Sequence, residues 1–224
     1  METSIGFGGT GDGYVVHMPS DTPLRVLALV CSLKPSPAPS SSSLLAEQVL
    51  RELKRHDIEG AVVRVVDHNL APGVEKDMGG EDQWPDIRAQ LLEADILLIA
   101  TPIWLGHMSS VAQRVLERID AELAETDHHG RPSMWDKVAI AAIVGNEDGA
   151  HKVTADLFQA LSDTGFTIPA QGATYWVGEA MSPTDYNDLP ETPDAVSSAI
   201  KDLASCAAHL AKTLRHNPYP ADRS

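Results

Sequence analysis

The sequence predicts an α/β fold: a doubly wound, five-stranded parallel sheet with helices on both faces. Three observations carry this expectation. Short apolar runs alternate with segments of helical period along most of the chain. The strand-like runs are apolar on both faces, as strands buried between two helical layers must be. Right-handed crossovers then leave few topologies, and the two common doubly wound orders both take ligands at the carboxyl ends of the strands.

The elements follow in chain order. Residues 1 to 22 are rich in Gly, Ser, Thr and Asp and lack periodicity, so they read as a disordered arm. Gly6, Gly8 and Gly11 match a dinucleotide-binding glycine pattern, but no strand precedes them and no helix follows, so a flexible tail is the better reading. The folded domain is expected over residues 23–216, with 217–224 as a tail. Leu24 to Val30 is a β-forming apolar run. A loop with Pro35, Pro37 and Pro39 leads through serines into a helix carrying Leu45, Val49, Leu50 and Leu53. Ala61 to Val66 is the second strand. Ile87, Leu91 and Ala94 mark a helix after Pro85, and Ile96 to Ala100 is the third strand.

Ser110 with Gln113 forms a capping box for a helix with the stripe Val111, Val115, Ile119 and Leu123. Val138 to Val144 is the fourth strand. Val153, Leu157 and Leu161 lie on a helix that stops near Gly165. Phe166 to Pro169 and Ala173 to Trp176 are pieces of one interrupted fifth strand. Thr192 caps a final helix with Pro193 at its first position, carrying Val196, Ile200, Leu203, Ala207, Leu210 and Leu214.

Composition narrows the function classes. Apolar residues make up 43% of the 224, enough for a sizeable core. The formal charge of −15 repels nucleic-acid backbones and anionic lipid surfaces, which are therefore not expected as partners. No apolar run reaches membrane-spanning length and no secretory pattern opens the chain, so a soluble cytoplasmic protein is expected. Cys31 and Cys206 cannot build a disulfide framework and read as buried reduced thiols.

Only the loops after strands one, three and four can build a ligand site in this topology. The first runs from Cys31-Ser32-Leu33-Lys34 to Ser40, Ser41, Ser42 and Ser43 at a helix start. Free N–H groups, serine hydroxyls and Lys34 suit a phosphate there, although the serines could equally be plain caps. The second, Thr101 to Ser110, holds Pro102, Ile103, Trp104, Leu105, Gly106 and His107. Its apolar bulk suits a flat aromatic ligand, or else a hydrophobic plug. The third, Val144 to His151, contains Gly145, Asn146, Glu147, Asp148 and Gly149. Its glycines allow close backbone approach, and Asp148 is placed to cap the next helix, or the segment is simply a turn.

Together, these loops resemble those of the NADPH-dependent FMN reductase and flavodoxin-like NAD(P)H oxidoreductase superfamily, over roughly residues 24 to 215. Cys31-Ser-Leu-Lys34 with the serine run resembles its phosphate loop. Thr101-Pro-Ile-Trp-Leu-Gly106 resembles its flavin-ring loop. Val144-Gly-Asn-Glu-Asp-Gly-Ala-His151 with Ala173-Thr-Tyr-Trp176 looks like one bacterial branch. The resemblance implies a flavodoxin-like fold and bound FMN. Ser32, Lys34 and Ser40 to Ser43 would hold the phosphate, Pro102 to Gly106 would flank the rings, and the backbone of Gly145 to Gly149 would meet the pyrimidine end. The chain departs from the family in its proline-rich insertion and in Leu33-Lys34, where an arginine is common.

The implied activity is electron transfer from NADPH or NADH through the flavin to a small acceptor such as a quinone or free flavin. The chemistry would be the cofactor's, with no side-chain acid or base required. His151 and Trp176 are candidates for the substrate side. His107 and His151 otherwise read as solvent-facing, and Trp176 as a plug of the core end. The alternative is a flavodoxin-type electron carrier, which sandwiches its flavin between aromatics. Trp104 supplies one, but Gly145 to His151 holds none, which favours a reductase with one open flavin face. An iron–sulfur flavoprotein would need a cysteine cluster, and a relative that lost its cofactor would show no flavin. Shielding an open face predicts a homodimer or homotetramer, with Val177 to Glu191 as a lid or as a wall of a neighbour's site.

Overall fold

The computed structural model describes residues 22–220. The glycine pattern of the N-terminal arm lies outside the described residues. The parallel strands are β1 (Leu24–Val30), β2 (Ile58–Arg64), β3 (Ile96–Trp104), β5 (Val138–Gly145) and β6 (Ala173–Val177), in the order β2-β1-β3-β5-β6. β4 is a two-residue strand, His107–Met108, antiparallel to β3. The five parallel strands thus follow the flavodoxin-like order, whose switch point lies between β1 and β3.

Strand alternation sorts the core into two layers. Val26, Ala28 and Val30 face one side with Ile96, Leu98 and Ala100, under α1 (Ser41–Lys54) and α5 (Asp194–His216). Leu27 and Leu29 face the other with Leu97 and Ile99, under α2 (Trp84–Glu93), α3 (Ser110–Ile119) and α4 (Ala150–Asp163). Both faces of the central strands are therefore dry, which is why their sequences read as unbroken apolar runs. The interrupted fifth strand is present. Thr167 makes an isolated parallel bridge to Val138, and Ala173 to Val177 then pair with Ala141 to Gly145.

Several boundaries differ from expectation. β2 starts at Ile58 rather than Ala61 and gives way to a short 3₁₀ turn at Val65, because it pairs from Leu24↔Ile58 onward. The cap of α3 is Ser109, not Ser110: its Oγ accepts from Ala112 N–H at 3.1 Å. Leu123 leaves the predicted stripe because the helix ends at Ile119, and the following 3₁₀ turn exposes it. α5 begins at Asp194 with Pro193 as its cap; the Thr192 hydroxyl instead accepts from Gln48. Cys31 is buried, and burial pushes its thiol pKa up; Cys206 is only half-buried. The described part of the tail is tied down, with Tyr219 N–H donating to Asp136 and its ring beside Trp135. Among the described residues, no helix is long and apolar enough to cross a membrane.

Candidate functional site

A cavity of about 520 Å³ opens at the carboxyl ends of β1, β3, β5 and β6. Its size falls in the range of small-molecule sites. One end is built by the first loop. Ser40 stands extended at φ −141° and caps α1 by accepting the Ser43 N–H at 3.3 Å, while its carbonyl takes the Leu44 N–H. Among the described residues this leaves the N–H groups of Ser41 and Ser42 without an acceptor, and both residues line the cavity. Ser32 is buried beside them, its Oγ accepting from Lys34 N–H at 3.1 Å. Lys34, exposed, completes a donor-rich, positive end.

The second segment is not a loop for most of its length. β3 continues through Trp104, and a two-residue turn of Leu105 (φ 51°) and Gly106 (φ 73°) folds β4 back onto it, pairing Trp104 with His107. Positive φ at both central residues matches the twist of a tight hairpin. Pro102, Ile103, Trp104 and Leu105 line the cavity, but Gly106 does not. Beneath them lies a buried polar knot. Ser109 Oγ–H donates to the Cys31 carbonyl at 2.7 Å, and Ser109 N–H donates to the Thr101 hydroxyl at 3.1 Å. It locks the ends of β1 and β3 together at the switch point.

The third segment supplies Gly145, Asn146 and Glu147 to the cavity. Asp148 and Gly149 lie outside its lining, and α4 starts from Gly149 with no side-chain cap. The glycines serve packing between protein segments. A Cβ on Gly145 would stand 2.8 Å from Ile103 Cβ, and one on Gly149 would stand 2.8 Å from Gly106 Cα. The Asn146 and Glu147 side chains reach in two directions. Asn146 Nδ2 donates to the Ser182 and Thr184 carbonyls and to Asp185 Oδ1, at 3.1 to 3.2 Å. Glu147 Oε1 accepts the Leu105 N–H at 2.8 Å.

A fourth wall comes from the Val177 to Glu191 segment, which the sequence offers as a lid or as a wall of a neighbour's site. Ala180, Met181, Asp185, Tyr186 and Asn187 line the cavity from the segment between β6 and α5. This segment walls its own chain's cavity, where the sequence left a neighbour's open. Tyr186 O–H donates to Gln48 Oε1 at 2.6 Å, and burial pushes its phenol pKa up. Trp176 both packs on the core and lines the cavity, its ring 5.4 Å from that of Tyr186. Plug and site wall are thus the same residue. The apolar residues of an irregular 177–191 segment were the available signal, but its anchoring through Asn146 and Gln48 had none.

Two further expectations fall outside the site. Ser43 contributes its N–H to the cap and does not line the cavity. His151 is exposed on α4, its Nε2 3.0 Å from the Tyr175 hydroxyl, and it too is outside the lining. His107 is exposed, next to Lys152.

With this geometry in hand, comparison with known proteins is decisive on one point. The model of the NADPH-dependent FMN reductase family matches residues 24–182, most of the folded chain. The chain belongs to that family. Among relatives, 8-demethyl-8-aminoriboflavin-5'-phosphate synthase of Streptomyces davaonensis is 31% identical over 209 residues, covering 89% of this chain and 81% of the relative. The crystal structure of RosB with the bound intermediate 8-demethyl-8-formylriboflavin-5'-phosphate superposes with a TM-score of 0.79 at 31% identity, covering 88% and 82% of the two chains. A divalent metal cation transporter, MntH of Mycobacterium bovis, is 34% identical over 183 residues, which are 80% of this chain; the chain spans only 27% of that relative's length. The matched family region takes in the loops after β1, β3 and β5 but ends at Ser182, so Asp185, Tyr186 and Asn187 lie beyond it.

The residues present fit a phosphorylated flavin. Hydroxyls, two helix N–H groups and Lys34 gather at one end of the cavity. Ile103, Trp104, Leu105, Trp176 and Tyr186 supply apolar and aromatic walls, and Gly145 lines the cavity at the end of β5. A donor-rich end joined to an apolar slot is the polarity of FMN itself.

Proposed function

We propose that this chain binds FMN in the cavity and passes electrons from NADPH or NADH to a small acceptor. The observation that carries the reading is the single cavity joining the capped N-terminus of α1 to the aromatic walls at the switch point. Ser32, Lys34, Ser40, Ser41 and Ser42 would hold the phosphate. Pro102 to Leu105 and Trp176 would flank the ring, and Gly145 to Glu147 would meet its polar edge. FMN, when bound, supplies the two-electron chemistry. The protein's own part is to orient the ring, exclude water with Trp104, Leu105 and Met181, and offer a second substrate the mouth between them. Titration with FMN, FAD and riboflavin, then stopped-flow reduction by each nicotinamide, tests it. FMN binding tightest with reduction by one of the two is expected; no flavin binding would defeat the reading.

A second reading has its own support in the 31% identity to an aminoriboflavin-phosphate synthase. There the flavin phosphate is the molecule changed rather than a resident carrier. The same cavity serves both, so product analysis separates them. Mass spectrometry of FMN recovered after turnover shows an unchanged mass for the reductase and an altered ring for the synthase. The electron-carrier alternative loses ground because Trp176 and Tyr186 wall the cavity from segments a two-loop sandwich does not use. We propose a cytoplasmic location, in keeping with the free cysteines, and a homodimer or homotetramer, in keeping with the exposed apolar mouth formed by Trp104, Leu105 and Met181.

A further inference from the structure

Leu105 stands where a bulky side chain is rarely found. Its φ is 51°, in the left-handed region, and its side chain is 89% exposed, so no buried contact holds it there. Its N–H lies at the first central position of the turn, and the pairing of Trp104 with His107 gives it no ladder partner. The acceptor it does have is the Glu147 carboxylate, 2.8 Å away, from the segment after β5. A second contact supports the same junction: Gly149 lies against Gly106 so closely that a Cβ would stand 2.8 Å from Gly106 Cα.

We propose that Glu147 is a positioning residue, latching the Leu105–Gly106 turn so that Trp104 and Leu105 line the cavity. The bond is charge-assisted, which makes it stronger than a neutral one. It holds a strained turn at a ligand site, where strain persists only if neighbours over-determine it. The latch joins two of the four segments that wall the cavity, so a ligand meets a mouth already shaped and need not order it on binding. The choice of flavin as the ligand rests on the function proposed above; the contact itself does not.

The test uses Glu147→Ala and Glu147→Gln in the full chain. In flavin-free protein, amide hydrogen exchange at Leu105 should accelerate about tenfold in Glu147→Ala and recover most of its protection in Glu147→Gln. FMN affinity, read from flavin fluorescence, should fall about tenfold in Glu147→Ala and recover most of it in Glu147→Gln, with the melting temperature unmoved. Leu105→Gly gives an independent arm, because glycine takes positive φ unaided. In that background Glu147→Ala should weaken FMN less than it does alone. Unchanged exchange in Glu147→Ala overturns the latch. Faster exchange with unchanged FMN affinity, an equal loss in the Leu105→Gly background, or no rescue by glutamine overturns the positioning role. Wild-type protein that binds no FMN would sink the proposed function instead, and the exchange result would then decide the latch alone.

Discussion

Arg118→Ala should strip stability from the protein while leaving the cavity intact. Arg118 and Asp82 form an ion pair at 2.7 Å with both side chains fully buried. The guanidinium also donates to the Ala71 and Glu75 carbonyls, at 2.8 to 3.1 Å, and sits 5.7 Å from the centroid of the buried Trp84 ring. Asp82 in turn accepts from the N–H groups of Ala71, Met78 and Trp84. One residue of α3 therefore ties together Ala71, Glu75 and Asp82 in the segment between β2 and α2. Removing it leaves a buried carboxylate without its counter-charge and two carbonyls without a donor, a loss of about 3–5 kcal/mol by comparison with other broken buried pairs. For a domain of this size that lowers the melting temperature by about 6–20 °C.

Acid should act on the same group. The Arg118 side chain and three N–H donors hold the Asp82 carboxyl at about 2, below its ordinary value of 3.8, against a burial penalty that pushes it up. Its stabilising contribution is full above the unfolded value and is lost as pH falls through the folded one. Differential scanning at pH 7 and at about pH 2.5 reads both effects, and the gap between wild type and Arg118→Ala should narrow in acid. No residue of this segment lines the cavity, so FMN affinity at neutral pH should hold. A melting point lowered by less than about 2 °C in Arg118→Ala, or a gap that widens in acid, would refute the reasoning.

Lys34→Ala, and separately Ser41→Ala with Ser42→Ala, should weaken FMN about ten- to hundredfold and riboflavin little, since these groups gather at the phosphate end. Equal loss for both ligands in titration would mean the loop acts on the ring or on folding. Gly145→Ala should cost about 1–3 kcal/mol in urea unfolding and distort the ring end of the cavity, because its Cβ would lie 2.8 Å from that of the buried Ile103. Trp176→Ala should lower both turnover and melting temperature, because the side chain serves the core and the cavity wall together. Light scattering at micromolar concentration should give the mass of a dimer or tetramer; a monomer there would defeat the assembly proposal.

The parallel sheet was legible because period and composition are local properties. Val26 to Val30 or Ile96 to Ala100 can only be buried on both sides, and their alternation with helices limits the topology. The serine cap before α1 was legible for the same reason: Ser40 acts on an N–H three residues away. Candidates for the cavity followed once topology named the strand ends, and Ser32, Lys34, Trp104, Asn146 and Trp176 do meet there. Less local features were misplaced. The β3–β4 hairpin is not legible in its loop sequence, because nothing in Leu105 announces positive φ.

What the sequence by itself determined is the fold class, the flavin-reductase kinship and the end of the sheet where a ligand belongs. These rest on periodicities and short motifs, whose physical causes act within a few residues. What only the tertiary structure decided is how the walls are fastened. Glu147 reaches Leu105, Asn146 reaches Ser182 and Thr184, Tyr186 reaches Gln48, and Arg118 turns inward to Asp82. Each joins polar groups between 36 and 138 residues apart in the chain, and a polar residue's partner is fixed by the backbone that brings it near. A glutamate or an arginine looks the same in sequence whether it faces water or holds a buried carbonyl. The cost of burying it unpaired is what makes the folded partner compulsory.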